Sequence, residues 1–189
     1  TVTYSTLLKV LAGLIPITFL KKMRDTVIFA FSTASSNATI PVTLETVTKK
    51  MGVKNSIASF TVPLGATINM DGTAIMQGVA TVFIAQVFNV DLTLSDYLMV
   101  ILTATLASIG TAGVPGVGLI MLAMVLDQVG LPVEGIGLII GVDRLLDMTR
   151  TAVNVTGDSM VSIVVAKSEG QFDEDVFYDE NAGSKIENK

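Results

Sequence analysis

Two long apolar segments constrain the fold more than any other feature of this sequence. Residues 60–88 contain one charged side chain, Asp71, and residues 97–126 contain none. Each segment exceeds the roughly 20 apolar residues that span the hydrocarbon core of a bilayer. Charged residues make up only 15% of the chain, whereas soluble domains contain about a quarter. The sequence therefore predicts an all-α membrane protein.

The distribution of basic residues predicts which ends of these segments face the cytoplasm. Residues 55–143 contain no Lys or Arg, and the links at 89–96 and 127–134 carry only acidic charges. Because cytoplasmic loops are enriched in Lys and Arg, the positive-inside rule places seven basic residues on the cytoplasmic side. They are Lys21, Lys22, Arg24, Lys49, Lys50, Lys54 and Lys167. We therefore predict a multi-pass protein of the cell membrane, with a cytoplasmic C-terminal tail.

The core of the chain divides into four segments, each defined by its apolar arms and by the break between them. Two helical hairpins have arms too short to cross the bilayer, so we predict that both are re-entrant. The segments are a hairpin at 15–51, a broken helix at 55–88, a second hairpin at 92–129 and a last, polar-faced transmembrane helix at 133–167. Residues 1–14 are expected to end a preceding transmembrane helix, in a fragment of a longer protein. Residues 168–189 are predicted to form a disordered polar tail.

The sequence "NMDG" interrupts the broken helix in the middle of its apolar run. In lipid, carbonyl groups freed by such a break need protein, water or ions as partners. Together with the side-chain oxygens of Asn69 and Asp71 they form an all-oxygen set, which hard cations such as sodium prefer. The alternative is structural: Gly72 kinks the helix, and Asp71 pairs with a neighbouring side chain. Paired interrupted segments favour a transporter site at the membrane midplane.

The last helix carries its polar side chains on one face. At about 100° per residue, the five positions fall within an arc of about 80°. Charged groups on an apolar helix must face a bundle interior or a cavity, and three acids for one arginine leave negative charge for a cation or an ammonium group to balance. A structural ladder of ion pairs is the alternative. The five residues are Asp143, Asp147, Arg150, Asn154 and Asp158.

The tips of the two hairpins are weaker signals when each is taken alone. "SSNAT" is also a pattern that caps the helix of Pro41, and "GTAGVPG" is also an ordinary turn. In combination, helix ends that meet at the midplane offer N–H groups to an anionic substrate and carbonyl groups to cations. Arg144 lies off the polar face, and no role is assigned to it.

Four motifs in this order resemble the glutamate/aspartate transporter family, the dicarboxylate/amino acid:cation symporters. They are "SSNATIP", "NMDGT", "ASIGTAGVPG" and "DMTRTAVNVTGD", and the resemblance covers about residues 4–170. It implies the C-terminal transport core of a prokaryotic member, which moves by an elevator mechanism against a scaffold formed by upstream helices of a homotrimer. The function implied is cation-coupled symport of aspartate or glutamate.

The resemblance also implies a set of substrate-binding residues. Arg150 would hold the side-chain carboxylate, Asp147 the ammonium group and Asn154 the α-carboxylate, while Asp143 would orient Arg150 from behind. The full set is Ser35, Ser36, Met70, Thr73, Val114, Gly118, Asp147, Arg150, Thr151 and Asn154.

Three cation sites are implied in the same way, with sodium as the coupling ion and protons as the alternative. One site would use Gly65, Asn69, Asn154 and Asp158, and a second would use backbone oxygens of Thr67, Ser108, Ile109 and Thr111. Asn69 and Asp71 would form part of a third, with its other ligands on an upstream helix.

The sequence departs from the family pattern at three positions. Some members carry an arginine in the first tip or beside the aspartate of the last helix, where this chain has Ala34 and Met148. Asn37 stands where a third serine is common. These departures leave the substrate preference and the coupling ion open.

Several other functions remain as alternatives. A C4-dicarboxylate lacks an ammonium group for Asp147, and a neutral amino acid leaves Arg150 uncompensated, which is costly for a buried cation. A truncated core that binds ligands without moving them and an ion channel are further alternatives. An enzyme is disfavoured because the chain has no His, no Cys and no recognisable pair of nucleophile and base. We expect the lipid bilayer to surround the protein, and we expect no nucleic-acid partner.

Overall fold

The computed structural model describes residues 2–183, and the regular structure of that range is helical apart from one isolated β-bridge. The all-α part of the predicted fold class is therefore confirmed. A π-helical turn extends the first helix over Leu8–Ala12 and the third over Thr46–Lys50, and a 3₁₀ turn at Val133–Ile136 precedes the eighth. The α-helices are α1 Val2–Leu7, α2 Pro16–Thr33, α3 Ser36–Glu45, α4 Asn55–Ile68, α5 Asp71–Val87, α6 Leu94–Ile109, α7 Val117–Gln128, α8 Gly137–Ser168 and α9 Glu174–Tyr178.

Helices α2 and α3 form the first hairpin through a tip of only two residues. Proline at the first position of α2 suits a helix start, because its missing N–H has no intrahelical partner there. Ala34 ends α2 in the left-handed region, with φ 52°. Ser35 then caps α3, and its hydroxyl accepts a hydrogen bond of 3.2 Å from the Ala38 N–H. The chain thus reverses direction at the serine-rich tip.

The long apolar run of residues 60–88 is interrupted at two residues. Helix α4 ends at Ile68, and Asn69 and Met70 adopt non-helical angles, with φ −97°, ψ 72° and φ −106°, ψ 47°. Helix α5 begins directly afterwards at Asp71. The break therefore places Asn69, Met70 and Asp71 at the facing ends of two helices.

The second hairpin pairs α6 with α7. A capping box starts α6, because the Thr93 hydroxyl accepts from the Asp96 N–H while the Asp96 carboxylate accepts from the Thr93 N–H. Residues 110–116 form the tip, and Gly116 precedes α7 with φ 84°, a conformation that favours glycine. The chain consequently turns into α7 at a residue with left-handed backbone angles.

Helix α8 is the central element, and it packs against α2, α4 and α5. One apolar core around it contains Phe19, Met23, Val47 and Ile163, and a second joins α5, α7 and α8. Large apolar side chains also lie on the outer surface, where Phe60 and Ile120 are each 67% exposed. Among the helices of residues 2–183, none combines the length and the apolar character needed to cross a membrane by itself. The re-entrant hairpins and the spanning last helix stay predictions.

The C-terminal tail is ordered through residue 183, so the prediction of a disordered tail is wrong for this part. The bonds from Asp173 N to Gly52 O (2.8 Å) and from Lys54 N to Gln171 O (3.0 Å) tie the tail to the link between α3 and α4. The Phe177 ring of α9 is fully buried. One aromatic anchor outweighs the polar composition that suggested disorder, because burying such a ring is worth about 1.5–3 kcal/mol. Residues 184–189 of the predicted tail lie outside the described residues.

Lys22 joins α2 to this tail. Its ammonium group donates to the carbonyl groups of Lys50, Val176 (2.8 Å) and Asp179 (2.9 Å). A lysine has three donors, and all three are used here. The neighbouring Lys21 is exposed.

Replacing Lys22 with methionine should loosen the tail, because it keeps the length of the side chain and removes the three hydrogen bonds. Hydrogen bonds to charged groups contribute about 1.5–3 kcal/mol, so we expect the free energy of unfolding to fall by an amount of that order. Hydrogen exchange of residues 174–179 and thermal unfolding in detergent would measure it. Lys21→Met is the matched control and should change neither; equal effects in the two variants would contradict the proposed anchoring.

Candidate functional site

A buried ion pair lies at the centre of α8. Arg150 and Asp147 are 5% and 3% exposed, and the Asp147 Oδ1 accepts from the Arg150 Nε at 2.8 Å and from Nη2 at 2.6 Å. The second oxygen, Oδ2, accepts from the Gly116 N–H at 2.8 Å. The carboxylate of the pair therefore bonds both to the arginine and to the second tip. Buried charges with such partners are costly to separate.

The guanidinium group packs against the first turn of α7. A Cβ on Gly118 would overlap the Arg150 Nη1, so only glycine leaves room for the arginine at this position. Nη1 is buried and has no hydrogen-bond partner within residues 2–183, and the same is true of the Asp143 Oδ1. The bonds of Arg150 go to Asp147 and not to Asp143, so the supporting role of Asp143 stays a prediction. One arm of Arg150 remains available to an acceptor.

Asn154 connects α8 to the broken helix. Its side-chain oxygen accepts from the Gly72 N–H at 2.7 Å. Its amide nitrogen donates to the Met70 sulfur at 3.1 Å and to the Thr73 hydroxyl at 3.3 Å. All these residues except Gly72 were predicted to bind substrate, and the structure brings them together on the buried side of α8.

The two hairpin tips touch at one carbonyl group. Gly113 O accepts from the Ser35 hydroxyl at 2.7 Å and from the Asn37 N–H at 3.1 Å. A Cβ on Gly113 would lie 3.0 Å from the Ala66 carbonyl oxygen, so the end of α4 also reaches this point. The tips and the end of α4 thus meet beside the polar face of α8.

The remaining predicted substrate residues are placed unevenly. Ser36 and Thr151 are each 3% exposed, whereas Val114 is 41% exposed at the outer part of the second tip. Ala34 and Met148, the positions where some family members have arginine, are 2% exposed and partly exposed respectively.

A second polar group lies one turn further along α8. Asp158, 2% exposed, accepts from the Asn69 side-chain amide at 2.8 Å, and this amide also lies 3.4 Å from the Asn154 carbonyl oxygen. A Cβ on Gly65 would be 2.6 Å from the Asp158 Oδ1, so this carboxylate packs directly against α4 at a position where only glycine leaves room. The structure therefore brings together all four residues predicted for the first cation site. Their carboxylate, amide and carbonyl oxygens suit a hard cation.

The other predicted cation ligands are less closely grouped. Ser108 and Thr111 are buried, while Thr67 and Ile109 are exposed. The Thr111 N–H bonds the Ser108 carbonyl oxygen at 3.1 Å. Over residues 2–183, no three His, Cys, Asp or Glu side chains gather as a metal site. The predicted sites consist mainly of carbonyl and amide oxygens, and all three of them stay predictions.

Two buried residues with polar side chains were missed from the sequence. The Tyr4 hydroxyl donates to the Asp71 Oδ2 at 2.7 Å, across 67 positions of the chain. Gln77 is fully buried in α5, and neither its amide oxygen nor its nitrogen has a partner among the described residues. Gln77 is a polar residue in an apolar helix, which was a detectable signal. Tyr4 has no such signal, because a tyrosine in an apolar segment is ordinary.

The comparisons with known proteins agree with the predicted resemblance. The "Proton/sodium-glutamate symport protein" of Bacillus caldotenax is 42% identical over 156 residues, which cover 82% of this chain and 37% of that protein. The "Proton/glutamate-aspartate symporter" of Escherichia coli K12 is 42% identical over 163 residues, 86% of this chain and 37% of the relative. The "Excitatory amino acid transporter" of Caenorhabditis elegans is 47% identical over 150 residues, 79% and 30% of the two chains.

The chain spans 30–37% of the length of these curated relatives. A family model described as the sodium:dicarboxylate symporter family matches residues 1–168. This is a family of transporters and not of enzymes, and membership implies a membrane protein. The resemblance predicted from the four motifs is confirmed, and the chain belongs to the sodium:dicarboxylate symporter family.

Proposed function

We propose that the protein carries acidic amino acids, aspartate or glutamate, across the membrane together with cations. The observation that carries the proposal is the buried pair of Asp147 and Arg150 beside Asn154. These three buried side chains provide one positive charge, one negative charge and one amide on the same face of α8. An acidic amino acid has the complementary groups: two carboxylates and one ammonium.

Substrate binding would exchange one ion pair for two. The ammonium group would replace Arg150 as the partner of Asp147, and the side-chain carboxylate would take the guanidinium group, which binds carboxylates through two parallel hydrogen bonds. Nη1 is already without a partner in the described chain, so the arginine has a donor to offer. Asn154 would hold the α-carboxylate together with Ser36 of the first tip, while Thr73 and Thr151 would complete the pocket. Each buried charge would keep a partner throughout the exchange.

Sodium would bind at the group formed by Gly65, Asn69, Asn154 and Asp158. A cation there would compensate the Asp158 carboxylate, which is 2% exposed and has no basic side chain among its bonded partners within residues 2–183. Buried carboxylates need such compensation. Names of relatives include both protons and sodium, and sodium is favoured here because the oxygen set is rich in carbonyl and amide groups.

We further propose the membrane arrangement that the sequence predicts. The hairpins α2–α3 and α6–α7 would be re-entrant, α8 would cross the bilayer with its polar face inward, and the tail with α9 would be cytoplasmic. The exposed apolar side chains, such as Phe60 and Ile120, suit contact with lipid or with scaffold helices of the longer protein. An elevator movement within a homotrimer would follow from such a scaffold.

Calorimetry of the protein at its full encoded length would test this function. We expect aspartate or glutamate to bind tightly in sodium buffer and at least 10-fold more weakly in choline buffer. Proteoliposomes should take the same amino acid up only with an inward sodium gradient. Binding without uptake would support a binding-only module, and equal affinity in both buffers would contradict sodium coupling.

Succinate serves as the control ligand in the same calorimeter. It has both carboxylates and lacks the ammonium group, so Asp147 would remain beside them without a cation to meet. We expect succinate to bind far more weakly than aspartate. Equal affinities would instead favour a dicarboxylate symporter.

A further inference from the structure

Tyr4 reaches from the first helix of the chain into the proposed cation region. It lies in α1, is 8% exposed, and packs its ring into the core that contains Leu8 and Val155. Its hydroxyl donates to the Asp71 Oδ2 at 2.7 Å. Asp71 itself is exposed at the first turn of α5. A buried donor thus holds one oxygen of a carboxylate that is otherwise open to its surroundings.

The same hydroxyl and the Asn69 side chain both approach α8 at Gly157. A Cβ on Gly157 would be 2.8 Å from the Tyr4 hydroxyl oxygen and 2.6 Å from the Asn69 Nδ2. Gly157 therefore lets both side chains approach the helix backbone at one point. Since Tyr4 bonds to Asp71 and Asn69 bonds to Asp158 at 2.8 Å, two carboxylates are held by side chains that meet α8 at the same glycine.

A hydroxyl in this position affects a carboxylate in two ways. It restricts rotation of the side chain, and it occupies one oxygen with a charge-assisted hydrogen bond. The other oxygen, Oδ1, keeps its lone pairs for a cation. Without the hydroxyl, the carboxylate would have to be ordered at the moment the cation binds, and binding would be weaker by that cost.

We propose that Tyr4 is a positioning residue that holds Asp71 in the orientation needed to bind the coupling cation. The inference rests on the proposed function, because it assigns a role within cation-coupled transport. It also attaches α1 to the broken helix through a side chain that the predicted cation sites did not include. The contribution comes from the hydroxyl group alone, and the ring serves the core.

The test is Tyr4→Phe in the full-length protein, which removes the hydroxyl and keeps the ring. Calorimetry would measure aspartate binding over a series of sodium concentrations. We expect the half-saturating sodium concentration to rise by roughly 3- to 10-fold, the range for the cost of ordering one side chain when the cation binds. Aspartate affinity at saturating sodium should change by less than about twofold, because the substrate contacts of Arg150 and Asn154 are untouched.

Tyr97→Phe is the matched control, because Tyr97 is 41% exposed in the first turn of α6, away from the cation region. It should leave the sodium dependence unchanged. An unchanged sodium dependence in Tyr4→Phe would overturn the inference. So would an equal loss of aspartate affinity at all sodium concentrations, which indicates a structural role. A failure of the proposed function would be seen separately, as sodium-independent binding in the unmutated protein.

Discussion

Replacing Arg150 with methionine should lower the affinity for aspartate by roughly 100- to 4000-fold. Removing one partner of a buried charge pair costs about 3–5 kcal/mol, and each 1.4 kcal/mol is tenfold in affinity. Arg150 is 5% exposed and bonds Asp147 through two nitrogen atoms. Its loss would remove the partner of the substrate carboxylate and leave Asp147 with the Gly116 N–H. Calorimetry in saturating sodium would measure the change.

Asparagine is the informative second ligand for this variant. It resembles aspartate in shape and lacks the side-chain charge that Arg150 would bind. The unmutated protein should prefer aspartate strongly, and Arg150→Met should lose most of that preference. Arg144→Met is the matched control, because Arg144 is exposed on the same helix, and it should behave like the unmutated protein. Undiminished aspartate binding by Arg150→Met would show that another residue binds the carboxylate.

Replacing Gly72 with alanine should also disrupt the site, through the backbone and without any change of charge. The new Cβ would lie 2.5 Å from the Arg150 carbonyl oxygen, 2.9 Å from the Arg150 Cα and 3.0 Å from the Asn154 Oδ1. Two of these atoms belong to the backbone of α8 and cannot rotate away. The start of α5 would have to move, and the 2.7 Å bond from Gly72 N to Asn154 would break.

The expected cost of Gly72→Ala is about 2–6 kcal/mol, from overpacking and from the lost buried hydrogen bond. Thermal unfolding in detergent and aspartate binding would both measure it. Gly78→Ala in the same helix is the control, because a Cβ there would meet nothing within 4 Å. Alanine is favoured over glycine inside a helix by about 1 kcal/mol, so this control should be slightly stabilising. Equal behaviour of the two variants would exclude close packing of α5 on α8.

The sequence was most informative where a local pattern dictates the structure. Polar residues in an apolar run have few tolerable positions, and the helix breaks at Asn69 and Met70 within "NMDG". The periodicity of α8 likewise predicted one inward face of five residues. Asp147, Arg150, Asn154 and Asp158 are buried, and Asp143 at the start of the face is partly exposed. Both predictions follow from the cost of exposing polar groups to an apolar environment.

Contacts between distant residues were beyond that reasoning. The hydrogen bond between Tyr4 and Asp71 depends on how α1 packs on the core, and no sequence pattern near either residue predicts it. The docked tail was missed because its composition is polar, although the position of a single ring, Phe177, decides its packing. The periodicity of α8 also left open which acid forms the ion pair with Arg150. Asp143 and Asp147 share its face, and the side-chain rotamers decide between them.

The carbonyl group of Gly113 would have a kinetic consequence for the proposed transport, because it accepts hydrogen bonds from both Ser35 and Asn37. Any movement that separates the first tip from the second must break the same two hydrogen bonds, whichever tip moves. The activation barriers for access from the two sides of the membrane would then share a common component. A substitution that weakens this junction would accelerate both openings together, and the ratio of inward to outward rates would be preserved.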